Sequence, residues 1–341
     1  MREMGRLYGR TVGLTRSGWF IPGIVVLLLA VMPIAAERPL LNMLTLIFCM
    51  AVFAMSYDVL LGYTGIISFG HALFFGIGAY SVAIIITHTR AALGYVLLAV
   101  LLALAVNMVI SLFIGFLSLR VKDTYYAMIT LAIAELGFIT AEKARHITNG
   151  YDGMTFRVPG MFTDRIVFYY IALLFLVLSF LVLWKFTNSP AGRVLVAIRE
   201  NEQRVNFLGY NVLHYKLIST VIAGAFAGLA GSVYAIHMRF VSTSAASVFK
   251  TIEALLATII GGVGTLYGAI VGSAIVSFAG DYLARLAKVH PLFERWYILF
   301  GLLYIVIVVF APKGVMGAVY KYRTKKGTAR PKEAAKTESH C

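Results

Sequence analysis

The chain is a series of long apolar runs separated by short polar segments. A helix that crosses the hydrocarbon core of a bilayer needs about 20 mainly apolar residues, and most of these runs approach that length. The pattern therefore predicts an all-α polytopic membrane protein with about ten transmembrane helices. The third run is rich in glycine and the eighth is short, which leaves open whether their helices are complete or broken. The predicted spans are Trp19–Ala36, Leu40–Leu61, Gly62–Tyr80 with apolar residues continuing to Thr87, Ala91–Leu119, Thr124–Glu142, Ile166–Trp184, Leu217–Ile236, Ile252–Ile260, Tyr267–Leu283 and Trp296–Ala311.

The longest polar segment between two runs is Ser189–Lys216. Ser189 can cap a helix, Pro190 suits its first position and Gly209 offers a stop, so the segment predicts one helix of about 18 residues. At about 100° per residue, its large apolar residues gather on one broad face, and a small apolar patch lies on the opposite, polar face. The broad face consists of Ala191, Val194, Leu195, Ile198, Val205 and Leu208, and the small patch consists of Val196 and Phe207 beside Glu200.

Two interpretations of this helix remain open. A solvated helix that only connects two spans needs no more than one apolar face. A helix with apolar residues on both sides can instead be held between two bodies, with the broad face on the transmembrane bundle and the small patch in a cytoplasmic partner. The second apolar patch favours the docking interpretation.

The composition agrees with membrane insertion, because 60% of the 341 residues are hydrophobic and only 13% are charged. The net charge of +15 does not indicate nucleic-acid binding, since the positive residues flank the apolar runs or lie in the tails. Ten spans place both termini on one side, together with 19 of the 30 Lys and Arg residues, and the positive-inside rule makes that side cytoplasmic. The predicted organisation is a basic cytoplasmic N-terminus (1–18), a transmembrane domain (19–312) that includes the cytoplasmic segment 189–216, and a basic, disordered tail (313–341).

Two glycine-rich stretches are candidates for irregular backbone along a translocation path. The first, at 62–80, reads GYTGIISFGHALFFGIGAY. It predicts either a broken span that exposes backbone polar groups to a pathway or a tight turn before an ordinary span. The second, GGVGTLYG at 261–268, lacks the context of a dinucleotide site, and its glycine spacing favours close contact between helices. The candidate residues are Gly62, Gly65, Ser68, Gly70 and His71 in the first stretch and Gly262 and Gly264 in the second.

Few ionisable residues lie inside the apolar runs, where they are costly and often functional. Glu135, about one turn after Thr130, is the main candidate for a residue of the path. The alternative is a structural hydrogen bond to a neighbouring helix. His71 has no second ligand at helical spacing, so no metal site is expected. Three other acidic residues are expected to be interfacial because they lie near span ends: Asp58, Glu253 and Asp281.

Enzyme activity is not expected of this chain. The sequence contains no G-x-x-x-x-G-K-[ST] phosphate loop, so ATP hydrolysis would have to reside in another protein. It also offers no nucleophile–base pair. The two cysteines, Cys49 and Cys341, cannot build a disulfide framework or a zinc site.

Five blocks of the sequence resemble the LivM-type permease of branched-chain amino acid ABC importers. They occur in the order of that family and cover most of residues 40–312. Besides the stretch at 62–80, the blocks are TYYAMITLAIAELG at 124–137, NGYDGM at 149–154, SPAGRVLVAIRENE at 189–202 and IIGGVGTLYGAIVGS at 259–273.

The resemblance implies a multi-pass subunit of the bacterial inner membrane that pairs with a related permease. It also implies two cytoplasmic ATPase subunits, which hold ATP and Mg²⁺, and a periplasmic binding protein that delivers a small molecule. This chain itself would bind no cofactor. Residues 189–209 match the helix that sits in a groove of the ATPase, although Arg204 and Val205 stand where relatives tend to have two alanines. The residues expected to dock on the ATPase are Arg193, Val196, Ala197, Arg199, Glu200, Phe207 and Gly209.

Two other functions remain as alternatives. Importers of urea and short amides have similar permeases, and composition cannot separate the two kinds of cargo. A proton-coupled secondary transporter would need no ATPase, and Glu135 would then carry the proton. The docking helix and the scarcity of charge within the spans weigh against this second alternative.

Overall fold

We describe the protein from a computed structural model. It describes residues 20–35, 37–89, 92–121 and 123–287, together with residue 301 and residues 314–315. Within these residues the fold is almost entirely helical. The helices are α1 Phe20–Ala35, α2 Arg38–Asp58, α3 His71–His88, α4 Leu93–Ser118, α5 Asp123–Lys143, α6 Arg145–Thr148, α7 Gly160–Thr163, α8 Arg165–Thr187, α9 Pro190–Glu200, α10 Glu202–Phe207, α11 Val212–Met238, α12 Val248–Gly261 and α13 Leu266–Ala287. A π-helical segment, Val59–Thr64, follows α2, and short 3-10 turns occupy Gly150–Asp152 and Thr243–Ala246.

Seven helical segments in the described part of the chain are long and apolar enough to cross a membrane. They are α2 with its π-helical end, α3, α4, α5, α8, α11 and α13. The first predicted span appears as α1, a shorter apolar helix, and the eighth as α12, which has only 14 residues. The tenth predicted span, Trp296–Ala311, lies outside the described residues apart from residue 301, as do the N-terminus (1–18) and the tail (313–341) apart from 314–315. The total of ten therefore stays a prediction.

Helix α2 lies at the centre of the bundle. Its side chains are almost all buried from Ile47 onward, and it contacts α8, α11, α12 and α13. Helices α4 and α5 lie at the edge and expose large apolar side chains such as Phe113 and Leu136. This difference explains why the sequence of α2 is apolar on every side, as expected for a helix surrounded by other helices.

Glycines bring α3, α4 and α11 into close contact. A Cβ added at Gly78 would overlap the carbonyl of Gly228, and one added at Gly228 would overlap the Asn107 side chain. A Cβ added at Gly231 would likewise overlap the carbonyl of Phe75. Small residues let helix backbones approach in this way inside a membrane, where lipid supplies no hydrophobic force between helices.

A small antiparallel sheet joins the loop after α6 to the end of α11. Its strands are β1 Met154–Thr155 and β2 Phe240–Val241, with Met154 opposite Val241. Arg239 takes a left-handed conformation at the end of α11, and its carbonyl accepts a hydrogen bond of 3.2 Å from the Phe156 nitrogen. The sheet therefore fixes the long polar loop, 144–164, to the bundle.

Candidate coupling and translocation site

The chain leaves helical geometry between α2 and α3. The π-helical segment ends at Gly65, whose φ of 81° lies in the left-handed region that glycine adopts without strain. Residues 66–70 are irregular, and α3 begins only at His71. In the predicted third span, whose apolar residues continue to Thr87, the helix therefore starts only at His71 and continues to His88. π-helical turns are rare and frequently occur at functional sites.

Asp58 lies at the end of α2, and its side chain is fully buried within the protein. Its Oδ1 accepts a hydrogen bond of 2.7 Å from the backbone nitrogen of Gly264, in the turn between α12 and α13. This backbone N–H group satisfies one of the two buried carboxyl oxygens, and the other, Oδ2, forms no hydrogen bond within the described structure. A Cβ added at Gly62 would overlap both the Asp58 carboxylate and the Gly264 nitrogen, so glycine is needed for this approach. Gly262 and Gly264 also have positive φ values, 120° and 79°, which shape the turn.

Arg199 of α9 reaches the same place from the polar segment 189–216. Its Nη1 donates a hydrogen bond to the carbonyl of Gly62, and its aliphatic stem lies against Gly65. Its Nη2 lies 3.3 Å from Oε1 of Glu200. The positive guanidinium also attracts the Asp58 carboxylate. The helix that was expected to dock on a partner is thus fixed directly to the interrupted end of a membrane span. We call Asp58, Gly62, Gly65, Arg199 and Gly264 the junction.

The rest of the irregular segment packs against α5. The Phe69 nitrogen donates a hydrogen bond of 3.3 Å to Oγ1 of Thr130, and a Cβ added at Gly70 would lie 2.6 Å from the Thr130 carbonyl oxygen. Ser68 is buried and interacts with the hydroxyl of Tyr126. The structure therefore brings Ser68, Gly70 and Thr130 together, as candidates for one wall of a path.

His71 begins α3 and is fully buried. Its Nε2 lies 2.8 Å from Oγ of Ser56, and its ring contacts those of Phe53 and Tyr57. Its Nδ1 forms no hydrogen bond within the described structure. Among the described residues there is also no group of three or more His, Cys, Asp and Glu side chains that could hold a metal ion. His71 therefore packs the start of α3 against α2.

Glu135 is not part of the junction. It follows Thr130 by five residues on α5, which is about 140° around the helix, so the two side chains leave the helix in different directions. Its side chain is half-buried, and no described residue forms an ion pair with it.

The prediction of a single helix after Ser189 is wrong, because the segment breaks at Asn201 into α9 and α10. Asn201 is extended, with φ −163° and ψ 100°, and its Oδ1 accepts a hydrogen bond of 2.9 Å from the Arg204 nitrogen. An asparagine side chain competes in this way with helix continuation and caps a new helix instead. At the start of α9, Oγ of Ser189 accepts from the Gly192 nitrogen at 3.3 Å.

The buried face of this segment is smaller than predicted. Leu195, Ile198 and Val205 are buried and form a cluster with Val212 of α11, against which Val194 packs. Leu208 was expected on this face but is 70% exposed. Helix α10 ends at Phe207, so Leu208 no longer follows the buried Val205 on a helical face.

An exposed apolar surface lies beyond the break. Phe207 is 89% exposed, and Leu208 and Tyr210 beside it are also exposed. We call these three residues the Phe207 surface. Of the other residues expected to dock on a partner, Arg193, Ala197, Glu200 and Gly209 are exposed, Val196 is half-buried, and Arg199 points to the junction.

Residues 40–309 match the model of a protein family described as branched-chain amino acid transport system, permease component. The chain belongs to this permease family. The match includes every residue of the junction, the irregular segment 66–70 and the Phe207 surface. It makes the chain a multi-pass membrane protein and a transport subunit rather than an enzyme, and it confirms the resemblance drawn from the five sequence blocks.

Curated relatives of this permease are similar over most of their length. The chain is 26% identical to the high-affinity branched-chain amino acid transport system permease protein LivM of Escherichia coli (strain K12), over 92% of this chain and 79% of the relative. It is also 26% identical to the probable LivM of Methanocaldococcus jannaschii, over 78% of this chain and 89% of the relative. The permease protein BraD of Pseudomonas aeruginosa is 26% identical over 82% of this chain and 95% of the relative. No solved structure matches the chain.

The sequence did not indicate that two lysines of this permease form ion pairs within the fold. Lys216 is buried at the start of α11, and its Nζ lies 2.7 Å from Oε2 of Glu202, which ties α10 to α11. Lys250 of α12 forms an ion pair with Glu253. Asp58 could have been noticed by its spacing, since residues four apart on a helix are neighbours and Gly62 leaves room for another backbone there.

Proposed function

We propose that this chain is one of the two membrane-spanning subunits of an ATP-driven importer of branched-chain amino acids in the bacterial inner membrane. Membership of the permease family carries the proposal, and relatives named as branched-chain amino acid permeases support the cargo. The other subunits are a related permease, two cytoplasmic ATPases and a periplasmic binding protein. ATP and Mg²⁺ bind to the ATPases, and this chain needs no cofactor. Both of its termini face the cytoplasm.

The ATPase docks on the exposed side of the segment 189–209. The Phe207 surface supports this arrangement, because large apolar side chains on a polar segment lose contact with water when a partner covers them. Its neighbours Arg193, Ala197, Glu200 and Gly209 offer a polar rim. Arg199 faces the other way, so the segment contacts the ATPase on one side and the membrane domain on the other.

Movement of α9 then reaches the interrupted span through Arg199. The contact between its guanidinium and the Gly62 carbonyl is charge-assisted, which makes it stronger than a contact between neutral groups. The cluster with Val212 and the ion pair between Glu202 and Lys216 bind the same segment to α11. The irregular backbone at 66–70 has no helical hydrogen bonds that must break before it moves. Its movement changes the shape of the path beside Thr130.

Uptake by the complete importer in proteoliposomes tests this function. We expect labelled leucine to enter when ATP is present with the ATPases and the binding protein, and labelled urea to stay outside. Uptake of urea instead of leucine would show that the chain belongs to an importer of urea and short amides. Uptake of leucine without ATPases, driven by a proton gradient alone, would show that it is a secondary transporter.

A further inference from the structure

An ion pair at the start of α12 lies outside the junction. Nζ of Lys250 is 2.8 Å from Oε2 of Glu253, and the two side chains are 18% and 31% exposed. The same Nζ lies 5.9 Å from the ring centre of Phe75 on α3 and 5.5 Å from that of Tyr234 on α11. A cation and a carboxylate are thus held between two membrane spans and remain partly accessible.

This ion pair lies beside the interrupted start of α3. Thr251, next to Lys250, is fully buried, and its Oγ1 accepts a hydrogen bond of 2.8 Å from the nitrogen of Ala72. Ala72 follows His71, where helical geometry resumes after the irregular segment. Charged groups among apolar spans are costly to desolvate, and those that persist there commonly mark the route of a polar solute.

We propose that Lys250 and Glu253 form a subsite for the charged head of an amino acid that passes through this subunit, an inference that rests on the proposed function. The carboxylate of the cargo pairs with the Lys250 ammonium, and the ammonium of the cargo pairs with the Glu253 carboxylate. An amino acid of this class carries one charge of each sign, so the site is neutral with the cargo and neutral without it. When the cargo leaves, Lys250 and Glu253 pair again, and no unpaired charge is left among the spans.

The surroundings of the ion pair suit a cargo with an apolar side chain. Phe249 precedes Glu253 by four residues, so it lies on the same face of α12 one turn earlier. Its side chain is 80% exposed. It offers an aliphatic side chain an apolar surface next to the charged groups. Urea has no charged head and would gain nothing from Lys250 and Glu253.

The test is leucine uptake by the complete reconstituted importer that carries the double variant Lys250→Met/Glu253→Gln. Removing both charges leaves neither partner unpaired, so a merely structural ion pair would be dispensable in this variant. The subsite requires both charges. We expect the double variant to keep its partner subunits but to import labelled leucine at least about tenfold more slowly than wild type. The matched control is Asp281→Asn/Arg285→Gln, which removes an exposed ion pair of α13 and should leave uptake unchanged.

Several outcomes would decide against the subsite. Uptake at the wild-type rate by the double variant would overturn it, because the charges would then serve structure only. Loss of the partner permease from the purified double variant would also overturn the subsite. It would show that Lys250 and Glu253 hold the two subunits together. Failure of the wild-type importer and of the control to take up leucine would instead refute the proposed function itself, and the subsite with it.

Discussion

At the scale of single residues, the junction depends on the absence of a side chain at Gly62. The Asp58 carboxylate, the Gly264 nitrogen and the Arg199 guanidinium all approach this one residue. The hydrogen bond from Gly264 satisfies Oδ1 of Asp58, and Oδ2 forms no hydrogen bond within the described structure. A side chain at position 62 would therefore disturb both the π-helical segment that contains Gly62 and the turn between α12 and α13 that contains Gly264.

Gly62→Ala should destabilise the permease by about 1–3 kcal/mol, because the added methyl group has no space between Asp58 and Gly264. Thermal unfolding of the purified protein in detergent measures the effect. The control is Gly280→Ala on α13, where a Cβ would meet nothing within 4 Å. That variant should be unchanged or more stable by up to about 1 kcal/mol, since alanine favours helix. Equal stability of the two variants would show that the close approach at Gly62 is unimportant.

At the scale of elements, the segment 189–209 has two faces with different partners. The face of Leu195, Ile198 and Val205 is buried against α11, whereas the Phe207 surface is exposed. The buried face spans the break at Asn201, since Val205 lies on α10, whereas the Phe207 surface lies wholly beyond the break. Substitutions on the two faces should therefore fail in different assays.

Phe207→Ala should weaken binding of the ATPase at least about tenfold, since a truncated aromatic anchor costs about 2 kcal/mol or more at an interface. The amount of permease in the membrane should not change. Leu195→Ala should instead destabilise the permease by about 2–5 kcal/mol through the cavity it leaves. Co-purification of the ATPase and the membrane level of each variant separate the two effects. A Phe207→Ala protein that retains the ATPase as wild type does would remove the Phe207 surface from the docking site.

Sequence patterns located most of these elements but not their contacts. A contiguous apolar run of about 20 residues identifies a membrane span by its length, so the seven described spans were predictable. The stop of α9 at Asn201 was not, because one local side-chain hydrogen bond overrode a favourable apolar pattern. The burial of Asp58 depends on Gly264, which is 206 residues away and is brought near only by the fold. Arg199 was identified as a site residue, but helical periodicity could not show that its side chain reaches Gly62.

At the scale of the whole molecule, the arrangement requires the β1–β2 region and the segment 189–209 to lie on opposite sides of the membrane. Single cysteines can report this in a background of Cys49→Ala and Cys341→Ser. Tyr151→Cys, in the exposed loop before β1, should react from outside with a reagent that cannot cross the membrane. Gln203→Cys on α10 should react only after the inner membrane is opened. In cells with an intact inner membrane, labelling of Gln203→Cys alone would reverse the predicted orientation, and labelling of both positions would contradict their placement on opposite sides.

The most direct test of the account is the number of leucine molecules imported per ATP hydrolysed when Arg199 is replaced by Met. This change removes the contact between the ATPase-facing helix and the Gly62 carbonyl while the Phe207 surface stays intact. We predict that the complex assembles and hydrolyses ATP but imports clearly less leucine per ATP. Arg204→Met, which removes an exposed charge from the same segment, should keep the wild-type ratio. An unchanged ratio in Arg199→Met would contradict the claim that Arg199 carries movement from the ATPase to the interrupted span.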